Sequence, residues 1–278
     1  FWGEVGWVEM PMNEEQARVQ EQIFYHFEKK MEKVKDPEIK KKIAGNQTQT
    51  IRRWWETQKA EFLFHAIKRE LAAGKKVIIM GETANEQMIQ GGGEDVLYVN
   101  EYGKEITGGV YKGLLEHLSE LLTKAGIKHA KILGDDKKGK IEEVKKFQTD
   151  KVDVALGTVM SAGTGIELDD KVGIGQGGKQ RVGYIATASF GGDKFQQVMG
   201  RIGGRMNTQS PAQVLVVASR ESISDAHSYH ILRKKTGVLQ AIQRGTDVDV
   251  ARGIDFEGVT LVDALDPNWT LVSGEGEG

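Results

Sequence analysis

Short apolar runs alternating with helical patterns constrain this chain more than any other feature. Lys76-Val-Ile-Ile-Met80, Ala130 to Leu133, Val152 to Leu156, Val182 to Thr187 and Val214 to Ala218 are compact and apolar, the pattern of strands buried on both faces. Between them the spacing predicts helices over Tyr111 to Ala125, Lys140 to Gln148 and Asp193 to Ile202, and a long one from about Ser222 to Ile242. The first of these gathers Leu114, Leu115, Leu118, Leu121 and Leu122 on one side. Such alternation predicts an α/β fold of three layers, a mainly parallel sheet covered by helices on both faces.

The N-terminal part reads differently. Residues 2 to 10 alternate weakly, as a short strand would, and Pro11 closes it. Asn13 can cap a helix whose Ile23, Phe24, Phe27 and Met31 share a face. Lys29 to Lys42 is lysine-rich and broken by Asp36-Pro37, and a solvated face or connector is preferred to a nucleic-acid patch. In Arg52-Arg53-Trp54-Trp55 the tryptophans could stack on bases, but burial in the core is the preferred reading. A helix from Thr57 to Ala73 turns Phe62, Leu63, Phe64, Ile67 and Leu71 mostly inward and ends at Gly74. Residues 81 to 110, with Gly91-Gly92-Gly93, show periodicity only at a possible strand from Val96 to Val99, and are expected to be an insertion or mobile loop. The acidic tail from Gly245 is expected to hold a small strand pair, Val259 to Val262 with Trp269 to Val272, and to end in disorder at Gly274 to Gly278. The expected division is 1–56 as an N-terminal strand and helical connector, 57–243 as the α/β domain, and 244–278 as an extension.

Composition limits the function classes. The 278 residues are 39% hydrophobic, enough for a buried core, and 38 basic against 40 acidic side chains leave a formal charge of -2. No whole-protein field therefore favours nucleic acid or an acidic membrane, and such binding would need a local patch. The absence of cysteine excludes disulfides, thiolate metal sites and cysteine nucleophiles. No apolar run approaches the roughly 18 residues of a membrane span, and the first residues do not resemble a signal peptide. A cytoplasmic protein is expected, or a nuclear one if eukaryotic, not a secreted one. The start at Phe1 rather than Met suggests a piece of something longer.

An α/β sheet invites a nucleotide, so each glycine-rich loop is a candidate. Gly134-Asp-Asp-Lys-Lys-Gly139-Lys140-Ile141 has nearly the spacing of a phosphate-binding P-loop. Ile141 replaces the hydroxyl that would ligate magnesium, and Asp135 with Asp136 would repel phosphate, so the reading is disfavoured. Gly173-Ile-Gly-Gln-Gly-Gly178 imitates a dinucleotide fingerprint without a convincing preceding strand, and a flexible loop is preferred. His227 and His230 are close enough on a helix to share a metal, yet no third ligand is obvious and no metal site is expected.

Gln197-Val-Met-Gly-Arg201-Ile-Gly-Gly-Arg205 places two guanidiniums within about a turn of each other, each a planar fork of donors suited to a polyphosphate. An α/β domain with such a pair and no phosphate loop of its own fits a partner domain that completes another domain's nucleotide site. The order Val77-Ile-Ile, Ile132-Leu-Gly134, Phe147, Val152-Asp-Val-Ala-Leu-Gly-Thr158, Ser161-Ala-Gly-Thr-Gly-Ile-Glu-Leu168 and Gln197-Val-Met-Gly-Arg201 resembles the second RecA-like domain of a superfamily 2 helicase. Segment 152 to 168 resembles motif V and segment 197 to 205 motif VI. The chain is most similar to Strawberry-notch-type helicase C-terminal domains and the related Swi/Snf-type motors, which carry a like small-residue run in motif V and a like Ser219-Arg-Glu-Ser-Ile-Ser segment with Lys234-Lys235 after motif VI.

The resemblance implies that ATP and Mg2+ bind between this domain and an N-terminal RecA-like domain of the same protein, and that DNA or RNA is the track. Arg201 and Arg205 would stabilise charge on the transferred phosphoryl group, with Gln197 orienting it. Gly165, Glu167 and Gly200 would lie near the nucleotide, and Gly157, Thr158 and Ser161 would meet the backbone phosphates of the strand, although Thr158 serves equally as a turn cap. The family spacing is QxxGRxxR, whereas Arg205 falls one residue late after Gly203-Gly204. Either a glycine bulge restores it or Arg201 acts alone. The isolated chain is expected to be inactive as an ATPase. A helicase-like scaffold without catalysis, or a doubly wound enzyme using the Gly173 to Gly178 loop for a cofactor, are the alternatives.

Overall fold

Pairing of the apolar runs builds a six-stranded sheet in the order β1 (Gly3–Glu9), β9 (Ala212–Ala218), β8 (Arg181–Ile185), β2 (Lys76–Gly81), β7 (Val154–Thr158) and β6 (His129–Ile132). Every neighbouring pair is parallel. The computed structural model describes residues 3–92, 97–99, 105–133, 137–159, 166–187, 192–203 and 208–228. The predicted tail strands, the Gly274 to Gly278 end and the helix beyond residue 228 lie outside them.

Along the central strands, side chains alternate between two cores, as a period of two requires. Val77, Ile79, Leu156, Val182 and Tyr184 enter one core with residues of α1 (Glu14–Glu32), α2 (Pro37–Thr57), α3 (Ala60–Ala72) and α4 (Leu114–Lys124). Ile78, Met80, Ala155, Ile185, Val214 and Val216 enter the other, with Phe147 of α5 (Lys137–Gln148) and Val198 and Ile202 of α6 (Gly192–Gly203). The three-layer α/β arrangement with a helical N-terminal region is therefore present.

The N-terminal segment supplies one edge of the sheet, Gly3 to Glu9 lying in register against Ala212 to Ala218. Asn13 caps α1 reciprocally with Gln16, its side chain accepting from the Gln16 amide at 2.8 Å. The lysine-rich connector is in fact the end of one helix and the start of another. Asp36 accepts from the Glu38 amide at 2.8 Å and Pro37 opens α2, so Lys40, Lys41 and Lys42 stand on an exposed helical turn. Trp54 and Trp55 are each 1% exposed, which removes base stacking and leaves the core reading.

Two boundaries differ from expectation. α2 continues through Thr57, and α3 starts only at Ala60, after a break at Gln58 and Lys59. Residues 81 to 110 carry a small antiparallel sheet in the order β3 (Gln87–Gln90), β5 (Glu105–Tyr111) and β4 (Leu97–Val99). β3 and β4 are short, β5 carries Gly108 and Gly109, and β5 takes Tyr111 from the predicted start of α4. Their stability comes from pairing with one another, a non-local effect that no local window of sequence carries.

Candidate functional site

Ligands of a parallel α/β sheet gather beyond the carboxyl ends of its strands. On that rim Gly81 of β2 lies opposite Thr158 of β7, and Met80 lies opposite Gly157 on one side and Ile185 on the other. Gly157 is buried between Met80 and Ile132, an interior residue with neighbouring strands on both sides. Thr158 is the half-buried residue of β7 that reaches the rim.

Beyond Val159 the segment with Ser161 and Gly165 lies outside the described residues. The chain re-enters at Ile166, Glu167 and Leu168, alternately buried, exposed and buried. The Leu168 amide donates to the Arg201 carbonyl at 2.9 Å, and the Gln148 side chain donates to the Glu167 carbonyl at 2.9 Å. The first of these bonds ties the end of the segment resembling motif V to the last turn of the helix resembling motif VI. Glu167 pairs with Lys171 at 3.0 Å, and Lys171 also meets Asp169 at 2.9 Å. Burial opposes the Lys171 charge, but the two carboxylates outweigh it and hold Lys171 above its ordinary pKa.

A glycine that sequence reasoning passed over lies under α6. A Cβ on Gly183, in the middle of β8, would lie 2.6 Å from the Ile202 side chain, so the missing Cβ leaves room for Ile202 of α6 to pack directly onto the strand. On α6, Gln197 is exposed, and a Cβ on Gly200 would meet nothing within 4 Å. Arg201 is only 7% exposed. That departs from an arginine held out to a partner's phosphate, and the cause is helical periodicity, since residue 201 shares the inward face with Val198 and Ile202. Arg205 lies outside the described residues.

Buried polar networks, also missed from sequence, brace this rim. The Lys59 ammonium, fully buried at the break between α2 and α3, donates to the Ala186 carbonyl at 2.7 Å, the Val217 carbonyl at 2.8 Å and both Asp225 oxygens at 3.0 and 3.2 Å. Asp225 also accepts from the Trp55 indole at 2.6 Å and the Ser219 amide at 3.0 Å. Together these contacts hold the exits of β8 and β9. Glu56, 1% exposed, accepts from the Glu82 amide at 2.5 Å and the Thr83 amide at 2.9 Å beyond β2, while Glu82 pairs with Arg52. Burial dominates its titration and pushes the Glu56 carboxyl up to about 6, against the lowering effect of the Glu82 amide.

No protein-family model matches the chain, and no curated protein matches it. Among solved structures, the C-terminal part of the Fun30 ATPase domain superposes with a TM-score of 0.51 and 12% identity, over 83% of this chain and 89% of that one. This chain has a RecA-like fold. The helicase domain of Pyrococcus furiosus Hef aligns more loosely, with a TM-score of 0.36 and 12% identity, over 62% of this chain and 27% of that one.

Gly139 and Lys140 fall inside the first turn of α5, which begins at Lys137, and Ile141 is 66% exposed, so the residues from Lys137 are helix where a P-loop would wrap phosphate. Gly173 to Gly178 leads into the amino end of β8, the edge of the sheet opposite the ligand rim, through a short 3-10 turn at Ile174–Gln176. The geometry of a dinucleotide fingerprint, strand then glycine turn then helix, is not met there. His227 is buried, and His230 lies outside the described residues. Among the described residues no cluster of three metal-ligating side chains occurs, and no helix is long and apolar enough to cross a membrane.

Proposed function

We propose that the chain is the second motor domain of an ATP-dependent nucleic-acid helicase or translocase, of the Strawberry-notch type, with the domain proper spanning about residues 57–243. The observation that carries the reading is the bond between the Leu168 amide and the Arg201 carbonyl, which on a RecA-like fold joins the motif V-like and motif VI-like segments as one site. ATP with Mg2+ would be held mainly by an N-terminal RecA-like domain. Gln197 and the open flank of Gly200 would face that domain, Arg201 and Arg205 would neutralise phosphoryl charge, and Glu167 with Gly165 would border the nucleotide. Thr158 and Ser161 would touch the backbone of DNA or RNA, so that binding depends little on base sequence.

On this reading Arg201 acts only when closure of the two domains turns its guanidinium out of its present packing. An arginine of this kind contributes about 10³ to 10⁵ in rate in nucleotide hydrolases. In the protein that carries both domains, Arg201→Ala should therefore lower nucleic-acid-stimulated ATP turnover at least about a thousandfold while leaving nucleotide binding largely intact. Turnover that survives the substitution would sink the assignment. The burial of Arg201 favours one rival, a helicase-like scaffold in which it is structural, and turnover by the wild-type two-domain protein would exclude that rival.

A further inference from the structure

The exposed face of α2 has no part in the site above, and its chemistry is one-sided. From Ile39 to Trp55 the helix carries Lys40, Lys41, Lys42, Arg52 and Arg53 and no acidic residue. Its neighbour α1 shows the ordinary mixture of signs, with Glu15, Arg18, Glu21, Lys29 and Glu32 all exposed. Helical periodicity sorts the residues of α2. Gln47, Ile51, Trp54 and Trp55 are buried, whereas Lys42, Asn46, Gln49 and Arg53 are exposed and fall within an arc of about 60° on the opposite side. Among the described residues Lys42 and Arg53 make no ion pair or hydrogen bond, and Glu38, a turn before Lys42, does not reach it. Their charges are open to a ligand.

The rest of the stripe fits the same ligand. Asn46 and Gln49 are neutral donors, and exposed Gly45 flanks them near the middle of the helix. Glycine weakens a helix interior, and packing does not require it here, since a Cβ on Gly45 would meet nothing within 4 Å. What glycine provides at an exposed position is close approach of a ligand to the backbone. Cations and amides without carboxylates are the donor set that takes phosphodiester oxygens. From Lys42 to Arg53 the stripe is about 16 Å long, the axial length of about five nucleotides in one strand of a duplex. The chain as a whole has a formal charge of -2, so a local surface of this kind is what binding to a polyanion needs.

The stripe is also tied to the ligand rim. Arg52, the residue before Arg53, is buried and pairs with Glu82 just beyond β2, and Glu56 accepts from the Glu82 and Thr83 amides at 2.5 and 2.9 Å. On that rim Thr158 lies opposite Gly81. The Arg53 end of α2 is therefore anchored where the polymer is expected to pass, and the Lys42 end leads away from it.

We infer that the exposed face of α2, from Lys42 to Arg53, is a second contact for the nucleic-acid backbone, outside the segments that resemble motifs V and VI. This rests on the motor-domain reading above, which names the polymer. Contacts of this kind hold a strand without reading its sequence, and they weaken with salt because they work by releasing counterions.

In the protein that carries both domains, Lys42→Ala with Arg53→Ala tests the contact, and since both side chains are exposed the melting temperature should not change. Fluorescence anisotropy with a labelled duplex of arbitrary sequence should show affinity about tenfold or more weaker at about 100 mM salt. The slope of log K against log salt should shrink by about 1.8, the share of two phosphate contacts. The nucleic-acid concentration that half-stimulates ATP turnover should rise by the same factor as the affinity falls. Unchanged affinity and slope would overturn the inference, as would wild-type protein that binds phosphatidylserine vesicles and no oligonucleotide. Binding that the paired substitutions weaken, in a wild-type protein without ATP turnover, would retain this contact and reject the motor function. Nucleic-acid-stimulated turnover that the variant keeps at every polymer concentration would retain the motor and reject the contact.

Discussion

Replacing Lys59 by methionine is the sharpest test of how the rim is held together. The substitution keeps the length of the apolar stem and removes an ammonium that contacts two carbonyls and both oxygens of Asp225. Asp225 would keep the Trp55 indole and the Ser219 amide, but its charge, now without a counterion, would stay buried. Removing one member of a buried ion pair destabilises by about 3–5 kcal/mol. At roughly 2–4 °C per kcal/mol for a domain of this size, the melting temperature should fall by about 6–20 °C. Denaturant unfolding of Lys59→Met, Asp225→Asn and the double variant measures the effect and the coupling. The double variant should lose less than the sum of the singles by at least about 1 kcal/mol, because each single leaves one charge stranded and the double leaves none. A loss below about 1 kcal/mol for Lys59→Met, or strict additivity, would refute the reasoning.

Further outcomes follow from the other networks. Glu56 titrates at about 6 in the fold against an ordinary 4.5, so the folded state holds the extra proton between those values and stability falls as pH rises through that window. The effect amounts to about 2 kcal/mol, and Glu56→Gln should remove it, so wild-type and variant stability curves that run parallel from pH 4.5 to 6 would contradict the assignment. In the glycine loop from Gly173 to Gly178, a Cβ at position 178 would lie 2.8 Å from the Asp170 carboxylate and from Gly173 backbone, whereas one at position 175 would meet nothing within 4 Å. Gly178→Ala should therefore cost about 1–3 kcal/mol and Gly175→Ala less than about 0.5, as read by thermal unfolding. The same two-domain assay that tests Arg201→Ala should show negligible ATP turnover by the 278-residue chain alone.

The central strands and the crossover helices were legible because each is a local pattern: a run such as Val77 to Met80 is apolar at every position whichever neighbours it finds. Asn13 as a cap and the tryptophans as core were legible for the same reason. The helix from Pro37 to Thr57 was missed because its hydrophobic face is narrow and its first half carries three consecutive lysines and Gly45, so packing against α1 and the core, rather than propensity, holds it in place. Of the small sheet, β4 (Leu97–Val99) was legible as the possible strand at Val96 to Val99, whereas β3 and β5 were missed because they are stabilised by pairing with other strands.

The candidate site divides along the same line. Sequence alone determined that this chain carries a parallel α/β sheet, where the motif-like segments at 152 to 168 and 197 to 205 fall, and that the chain has no plausible phosphate loop. Tertiary structure decided which of those residues reach a surface. Gly157 became interior because strands flank it on both sides, and Arg201 turned inward because α6 buries the face it shares with Val198 and Ile202. It also brought Lys59 to Asp225 across 166 positions of chain, and Asp170 to Ser210 across 40. No spacing rule reaches that far, because a buried charge is placed by the partners that the fold assembles around it, and those partners are neighbours only once the sheet has closed.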